Sequence, residues 1–265
     1  MSSSIQVRGL VIRTVDVREA DRLVVIFTEE MGIVTALARS ARAFKSKKFA
    51  ATIQFCYSNF WLYRRGDYYY IKEVELIESF FDIRYSVEGF ALAGYIAEVL
   101  SDITTAEADK ELLRLSLNSL YAIASGKYPL QKIKAAFEIR TASIIGFMPD
   151  LISCVSCSEK EGVFYFDIMG GFLQCASCKQ KAEKTQSEDY LPHEARIVCI
   201  LSPGAKYALE YCIHSPLQKI LSFSISDEDM DIFSRAAEQY VLNQFERSYK
   251  TLDFYNEVVR KKQPK

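Results

Sequence analysis

Four cysteines in two matched pairs, Cys154-x2-Cys157 and Cys175-x2-Cys178, constrain this chain more than any other stretch of it. Two residues between paired cysteines form a tight knuckle that aims both sulfurs at one point. The 17 residues between the pairs contain Gly162-Val-Phe-Tyr-Phe and then Gly170-Gly-Phe-Leu, which read as strand, turn and strand and bring the two knuckles together. This spacing predicts a four-thiolate zinc module over residues 150–182, with one Zn2+ per chain held by Cys154, Cys157, Cys175 and Cys178. A closed shell of four thiolates leaves no position for water, so the metal is expected to be structural and to supply folding free energy. Four unligated cysteines or two disulfides are the alternatives, and iron satisfies the same spacing. Cys56, Cys199 and Cys212 lie in apolar surroundings and are expected in the core.

The rest of the chain is long enough to build its own core. At 265 residues, 49% apolar and 25% charged, it has the balance of a globular protein of about two domains. No basic leader precedes an apolar run, and no run approaches the roughly 18 apolar residues that cross a bilayer. A cytoplasmic protein with no membrane partner is expected, in a compartment where disulfides are rare. The net charge of −1 conceals a polarity. Residues 1–72 hold twelve basic and six acidic side chains, a net +6, which leaves 21 basic and 28 acidic, a net −7, for the remainder.

Within the basic part, Arg39, Arg42, Lys45, Lys47 and Lys48 place five cations in ten residues with no acid among them, an electrostatic footprint for phosphate. Residues 55–70 follow with eight aromatics in sixteen positions. Strand alternation puts Trp61, Tyr63 and Arg65 on one face and Phe60, Leu62 and Arg64 on the other, so some rings are left for solvent or ligand. Cations that follow a backbone and rings that stack on bases are what single-stranded nucleic acid requires.

Strands are predicted over Val7–Val15, Leu23–Thr28, Ile33–Ala38, Gln54–Arg64 and Tyr68–Ile77, the last two joined through Arg65-Gly66-Asp67. Five strands with no covering helix predict a small closed barrel of the oligonucleotide-binding (OB) type over residues 1–79. Helical periodicity takes over at Val87–Ser101, Ala106–Ser125, Leu130–Ile145, Pro203–Cys212 and Asp227–Phe245, with residues 260–265 as a frayed tail. The fold class is therefore α+β: an N-terminal OB-fold barrel, then a helical bundle domain over 80–265 with the zinc module inserted. Phosphate-loop, G-x-S-x-G and H-E-x-x-H motifs are absent, and His193 and His214 have no neighbouring acid or cysteine at catalytic spacing, so no enzyme is expected.

Local words throughout the chain resemble those of the RecO family of bacterial recombinational repair proteins. They are Gly9-x-Val-Ile-Arg13, Glu19-Ala-Asp-Arg-Leu23, Phe27-Thr-Glu-Glu-Met-Gly32, Ala36-Leu-Ala-Arg39 and Lys45-Ser-Lys47. Further on come Phe137-Glu-Ile-Arg140, Gly146-Phe-x-Pro149-x-Leu151-x-x-Cys154, Gly170-Gly171 and Lys250-Thr-Leu-Asp-Phe254. The resemblance implies a mediator that binds single- and double-stranded DNA, anneals complementary strands, and with RecR helps load RecA onto DNA coated by single-strand-binding protein. It implies a bacterial cytoplasmic protein associated with the nucleoid. Phosphate contacts are expected from Arg39, Arg42, Lys45, Lys47 and Lys48, supported by Arg13, Arg22, Arg64 and Arg65, with Trp61 or Tyr63 stacking on bases. Arg13 and Arg22 equally suit surface ion pairs with Asp16, Glu19 or Asp21. The acidic C-terminal tail of single-strand-binding protein is expected on the helical domain, with Lys132 and Lys134 receiving its carboxylates. Ser40 stands where the family often has glycine, which puts the path of the basic loop in question. A zinc-ribbon adaptor that binds only proteins is the competing reading.

Overall fold

Alternation of apolar and polar side chains builds the first sheet. The computed structural model describes residues 4–103, 108–185 and 197–262. Strands β1 (Ile5–Val17), β2 (Asp21–Thr28), β3 (Gly32–Ala38), β4 (Tyr57–Arg65) and β5 (Tyr68–Glu78) close in the order β1-β2-β3-β5-β4. All neighbours are antiparallel except β3 and β5, which run parallel at Ala36–Tyr69 and Leu37–Tyr70 and seal the barrel. Val7, Val11, Ile26, Ala36, Phe60 and Leu62 fill the interior, and closure removes the open edges on which sheets aggregate. Between β3 and β4, a single helical turn, α1 (Lys48–Ala51), sits against β5 where the sequence reads only as loop.

Contacts divide the chain into two units, residues 1–127 with 249–265, and residues 128–248. The helices α2 (Val87–Ile103), α3 (Lys110–Ser125) and α8 (Lys250–Lys262) therefore group with the barrel rather than with the later helices. Asp109 caps α3 by accepting from Leu112 N–H, so the helix begins at Lys110, four residues after the predicted start at Ala106, which lies outside the described residues. Of the frayed tail expected over 260–265, residues 260–262 are the last turn of α8 and the rest lie outside the described residues. In α8, Leu252 and Tyr255 are buried, and Tyr249 and Thr251 at its start bond Asp102 and Glu98 of α2.

The second unit is built around α4 (Leu130–Ile144), which is buried nearly all round and packs against α6 (Pro203–His214) and α7 (Asp227–Gln244). Beside it lies a four-stranded sheet ordered β6 (Asp150–Cys154), β8 (Phe172–Cys175), β7 (Phe164–Asp167), β9 (Val198–Leu201), followed after β8 by α5 (Ala176–Thr185). The β7–β8 turn depends on its two glycines. Gly171 has a φ of 68°, and a Cβ on Gly170 would stand 2.3 Å from the Phe172 ring.

Burial of α4 corrects one expectation. Lys134 is only 2% exposed and is clasped by Glu138 at 2.9 Å and Glu238 at 2.7 Å. Burial pushes its pKa down, but the two carboxylates outweigh burial and raise it. Lys132 is buried too, with its ammonium on the Phe223 carbonyl and 4.1 Å from the centre of the Phe223 ring. Both lysines are spent inside the fold, so neither offers a surface charge to a peptide carboxylate.

Candidate nucleic-acid interface and metal centre

Cysteine pairs and short strands together assemble a cluster of four thiols that could hold a metal ion. Cys154 and Cys175 end the neighbouring strands β6 and β8; Cys157 follows in a turn closed by the Ser158 N–H on the Cys154 carbonyl at 2.9 Å, and Cys178 lies in the first turn of α5. The four sulfurs all lie within 4.8 Å of one another, and Cys157 and Cys175 are 3.6 Å apart. A tetrahedron with metal–sulfur bonds near 2.3 Å has sulfurs about 3.8 Å apart, so the donor set fits a single tetrahedral cation. Cys175 N–H donates to the Cys154 sulfur at 3.3 Å. Burial raises the Cys154 thiol, but backbone N–H groups of Cys175, Ser156 and Cys157 outweigh it and pull the value down to about 6, favouring the thiolate that a metal takes. All seven cysteines are free, and Cys56, Cys199 and Cys212 are buried as expected.

The predicted phosphate contacts divide into exposed and internal cations. Arg13, Arg39, Arg42, Lys45, Lys47, Arg64 and Arg65 are exposed on the barrel. Arg42 keeps an ion pair with Asp16 at 3.3 Å, and Arg64 sits 3.6 Å from Asp67. Arg13, Lys45, Lys47 and Arg65 have no ion pair among the described residues. Arg22 and Lys48 turn inward. Arg22 is 8% exposed, bonded to Asp16 at 2.9 Å and stacked over Phe49, which settles its two readings in favour of the ion pair. The Lys48 ammonium donates to the Ile71 carbonyl at 2.7 Å, tying α1 to β5, and burial lowers its pKa.

The two rings expected to stack on bases are half-buried, and one of them is already engaged. Tyr63 stacks on Tyr70 at 5.3 Å, and the Arg39 guanidinium caps Tyr70 at 4.9 Å, giving a three-layer pile across β4, β5 and the end of β3. Trp61 stands cross-strand from Glu73, next to the exposed acids of β5. The ring that sequence reasoning missed is Phe44, inside the basic loop and 99% exposed. Its signal was present as an isolated aromatic between Arg42 and Lys45.

Ser40 answers the question its identity raised. With a φ of 52° it adopts the left-handed conformation that glycine favours, fixed by its N–H on the Asp21 carboxylate at 2.8 Å, so the loop departs along a path that suits glycine. His214 ends α6 on the surface, where a basic group suits the helix C-terminus. His193 lies outside the described residues.

Together these features define a class: an OB-type barrel carrying surface cations and, in the same chain, a helical unit with a four-cysteine metal module. Residues 1–80 match the family described as Recombination protein O N terminal, and residues 84–253 the one described as Recombination protein O C terminal. A DNA repair protein RecO of Acetivibrio thermocellus is 32% identical over 250 residues, 93% of this chain and 94% of that one. A second, of Caldicellulosiruptor saccharolyticus, is 28% identical over 253 residues, 95% and 97% of the two chains. The chain belongs to the RecO family of DNA repair proteins. The motif Phe137-Glu-Ile-Arg140 takes its meaning from α4: Phe137 and Ile139 are core, Glu138 holds Lys134, and Arg140 reaches the Cys212 carbonyl at 3.5 Å. No helix among the described residues is long and apolar enough to cross a membrane.

Proposed function

We propose that this chain is a non-enzymatic recombination mediator that binds single- and double-stranded DNA on its barrel, anneals complementary strands, and with RecR assists loading of RecA onto DNA coated by single-strand-binding protein. The observation that carries the DNA reading is the set of exposed cations around the basic loop, Arg39, Arg42, Lys45 and Lys47, with Arg13, Arg64 and Arg65 also on the barrel surface. Annealing on such a surface needs no catalytic residue, because neutralising phosphate repulsion lowers the barrier to pairing. RecR, RecA and the tail of single-strand-binding protein enter through family membership. The tail keeps its place as a partner without Lys132 or Lys134 as its receptor. A bacterial cytoplasmic location beside the nucleoid follows from the same reading.

Zn2+ is the proposed metal, one per chain, because four thiolates at tetrahedral separation suit a soft-ligand structural site without an open position. A salt titration tests the DNA reading. With Lys48 turned inward, four loop cations at about 0.7 per phosphate give a slope of log affinity against log salt near −3 for single-stranded DNA. Lys45→Glu with Lys47→Glu is expected to cut affinity and flatten the slope; absence of binding at low salt, or indifference to both salt and this variant, favours the protein adaptor.

A further inference from the structure

Phe44 is the most exposed large apolar side chain among the described residues, and the loop that carries it is ordered by hydrogen bonds rather than free. Arg42 N–H bonds the Ala20 carbonyl at 2.9 Å, Ala43 N–H the Ser40 carbonyl at 3.2 Å, and Ser46 N–H the Ala43 carbonyl at 2.9 Å. The last of these closes a turn of four residues whose two central positions are Phe44 and Lys45. A fixed turn thus presents a bare ring next to an ammonium with no acid partner among the described residues, and Arg42 and Lys47 flank the pair. A phenyl ring held in water forgoes the burial that Phe27, Phe55 and Phe60 obtain in the same unit. Of the two rings named from sequence, Tyr63 is stacked on Tyr70, itself capped by Arg39, and Trp61 is half-buried and cross-strand from Glu73, an acid that disfavours a neighbouring phosphate.

We propose that Phe44 is the ring on which a nucleobase stacks, with Lys45 and Arg42 on the adjoining phosphates, and that the loop thereby prefers single-stranded DNA. This rests on the DNA reading above and deepens it. Every unpaired base has a free face for a ring, whereas bases within a duplex are already stacked on both sides. The cations alone do not discriminate, since both forms carry phosphate. The ring supplies the difference.

The experiment measures affinity of the wild type, Phe44→Ala and Phe44→Trp for three probes: an oligothymidine strand, an abasic strand of equal length, and a duplex. Phe44→Ala is expected to weaken oligothymidine binding about five-fold or more, to change abasic and duplex binding less than about two-fold, and to leave the salt slope intact. Phe44→Trp is expected to restore binding and to show tryptophan quenching with oligothymidine alone. An equal loss on the abasic strand would make Phe44 a shaper of the loop, a larger loss on duplex would make it a wedge between base pairs, and no loss would free it of any DNA role; each overturns the proposal. If the wild type binds none of the probes at low salt, the DNA reading itself fails, and that result is visible before any substitution is made.

Discussion

The two β structures of this chain solve the same problem by different means. The barrel has strands of seven to thirteen residues, closes on itself, and is filled by aliphatic and aromatic side chains. The four-stranded sheet has strands of four or five residues, buries Phe164, Phe166, Leu173 and Leu201, and has two strands that end in cysteines whose sulfurs converge. The barrel rests on hydrophobic packing alone, whereas the short sheet adds to its packing four convergent thiols that suit a metal, whose binding would supply further folding free energy. The lysines follow a related division. Lys45 and Lys47 on the barrel loop face water, while Lys134 in the second unit is enclosed by two carboxylates.

The largest effect expected from this contrast is loss of the metal. Chelation, or Cys175→Ser with Cys178→Ser, should release one zinc per chain and abolish amide-exchange protection over residues 150–182, since structural zinc contributes about 10–16 kcal/mol in small metal domains. Protection of the barrel strands should survive; its equal loss would erase the distinction between the two sheets. Next comes Phe60→Ala, which empties the barrel centre and is expected to cost about 3–5 kcal/mol in denaturant unfolding with metal content unchanged. A smaller change is expected from Asp229→Asn. Asp229 accepts from the hydroxyls of Ser202 and Ser226, the N-caps of α6 and α7, and these bonds hold its carboxyl below the ordinary value of 3.8. A depressed carboxyl favours the folded state fully above about pH 3.8, and this share fades as pH falls through the lowered folded value. The Asn variant should therefore lose a small, solvent-screened share of stability near neutral pH and show less acid sensitivity in the second unit, read by exchange in α6 and α7. The smallest effect is expected from Ser40→Gly, a gain of up to about 1 kcal/mol by relief of the left-handed backbone, with DNA affinity unchanged. A loss of stability there would show that the Ser40 side chain does something its backbone does not.

Much of the barrel was legible because its signal is local. Alternation over Phe60, Trp61, Leu62 and Tyr63 places two residues in the core and two outside, as the structure has them. The cysteine pairs were legible for the same reason, as spacing within a turn fixes where two sulfurs aim. Lys134 was not, because one of its partners, Glu238, is 104 residues away and no local pattern joins them, although Glu138 at i+4 was a partial sign. The inward turn of Arg22 and Lys48 depended on α1, one helical turn too short to register as periodicity. β6 and β9 offered too few alternations to read. Lys250–Phe254 read only as a family word and 260–265 as a tail, where the apolar positions Leu252 and Tyr255 form the buried stripe of a helix that runs to Lys262.

That returning helix has a consequence for how the protein is made. The first unit is interrupted: it breaks off at Lys127 and is completed only from Tyr249 onward. At translation rates of about 5–20 residues per second, synthesis of residues 104–249 separates α2 from α8 by roughly 7 to 29 s. During that interval the face of α2 that carries Tyr95 and Glu98 waits on the nascent chain without Tyr249 and Thr251. Ribosome-bound chains stalled before residue 249 are therefore expected to show a protected barrel and an exchangeable α2, and their release as truncated products to expose a sticky surface for chaperones.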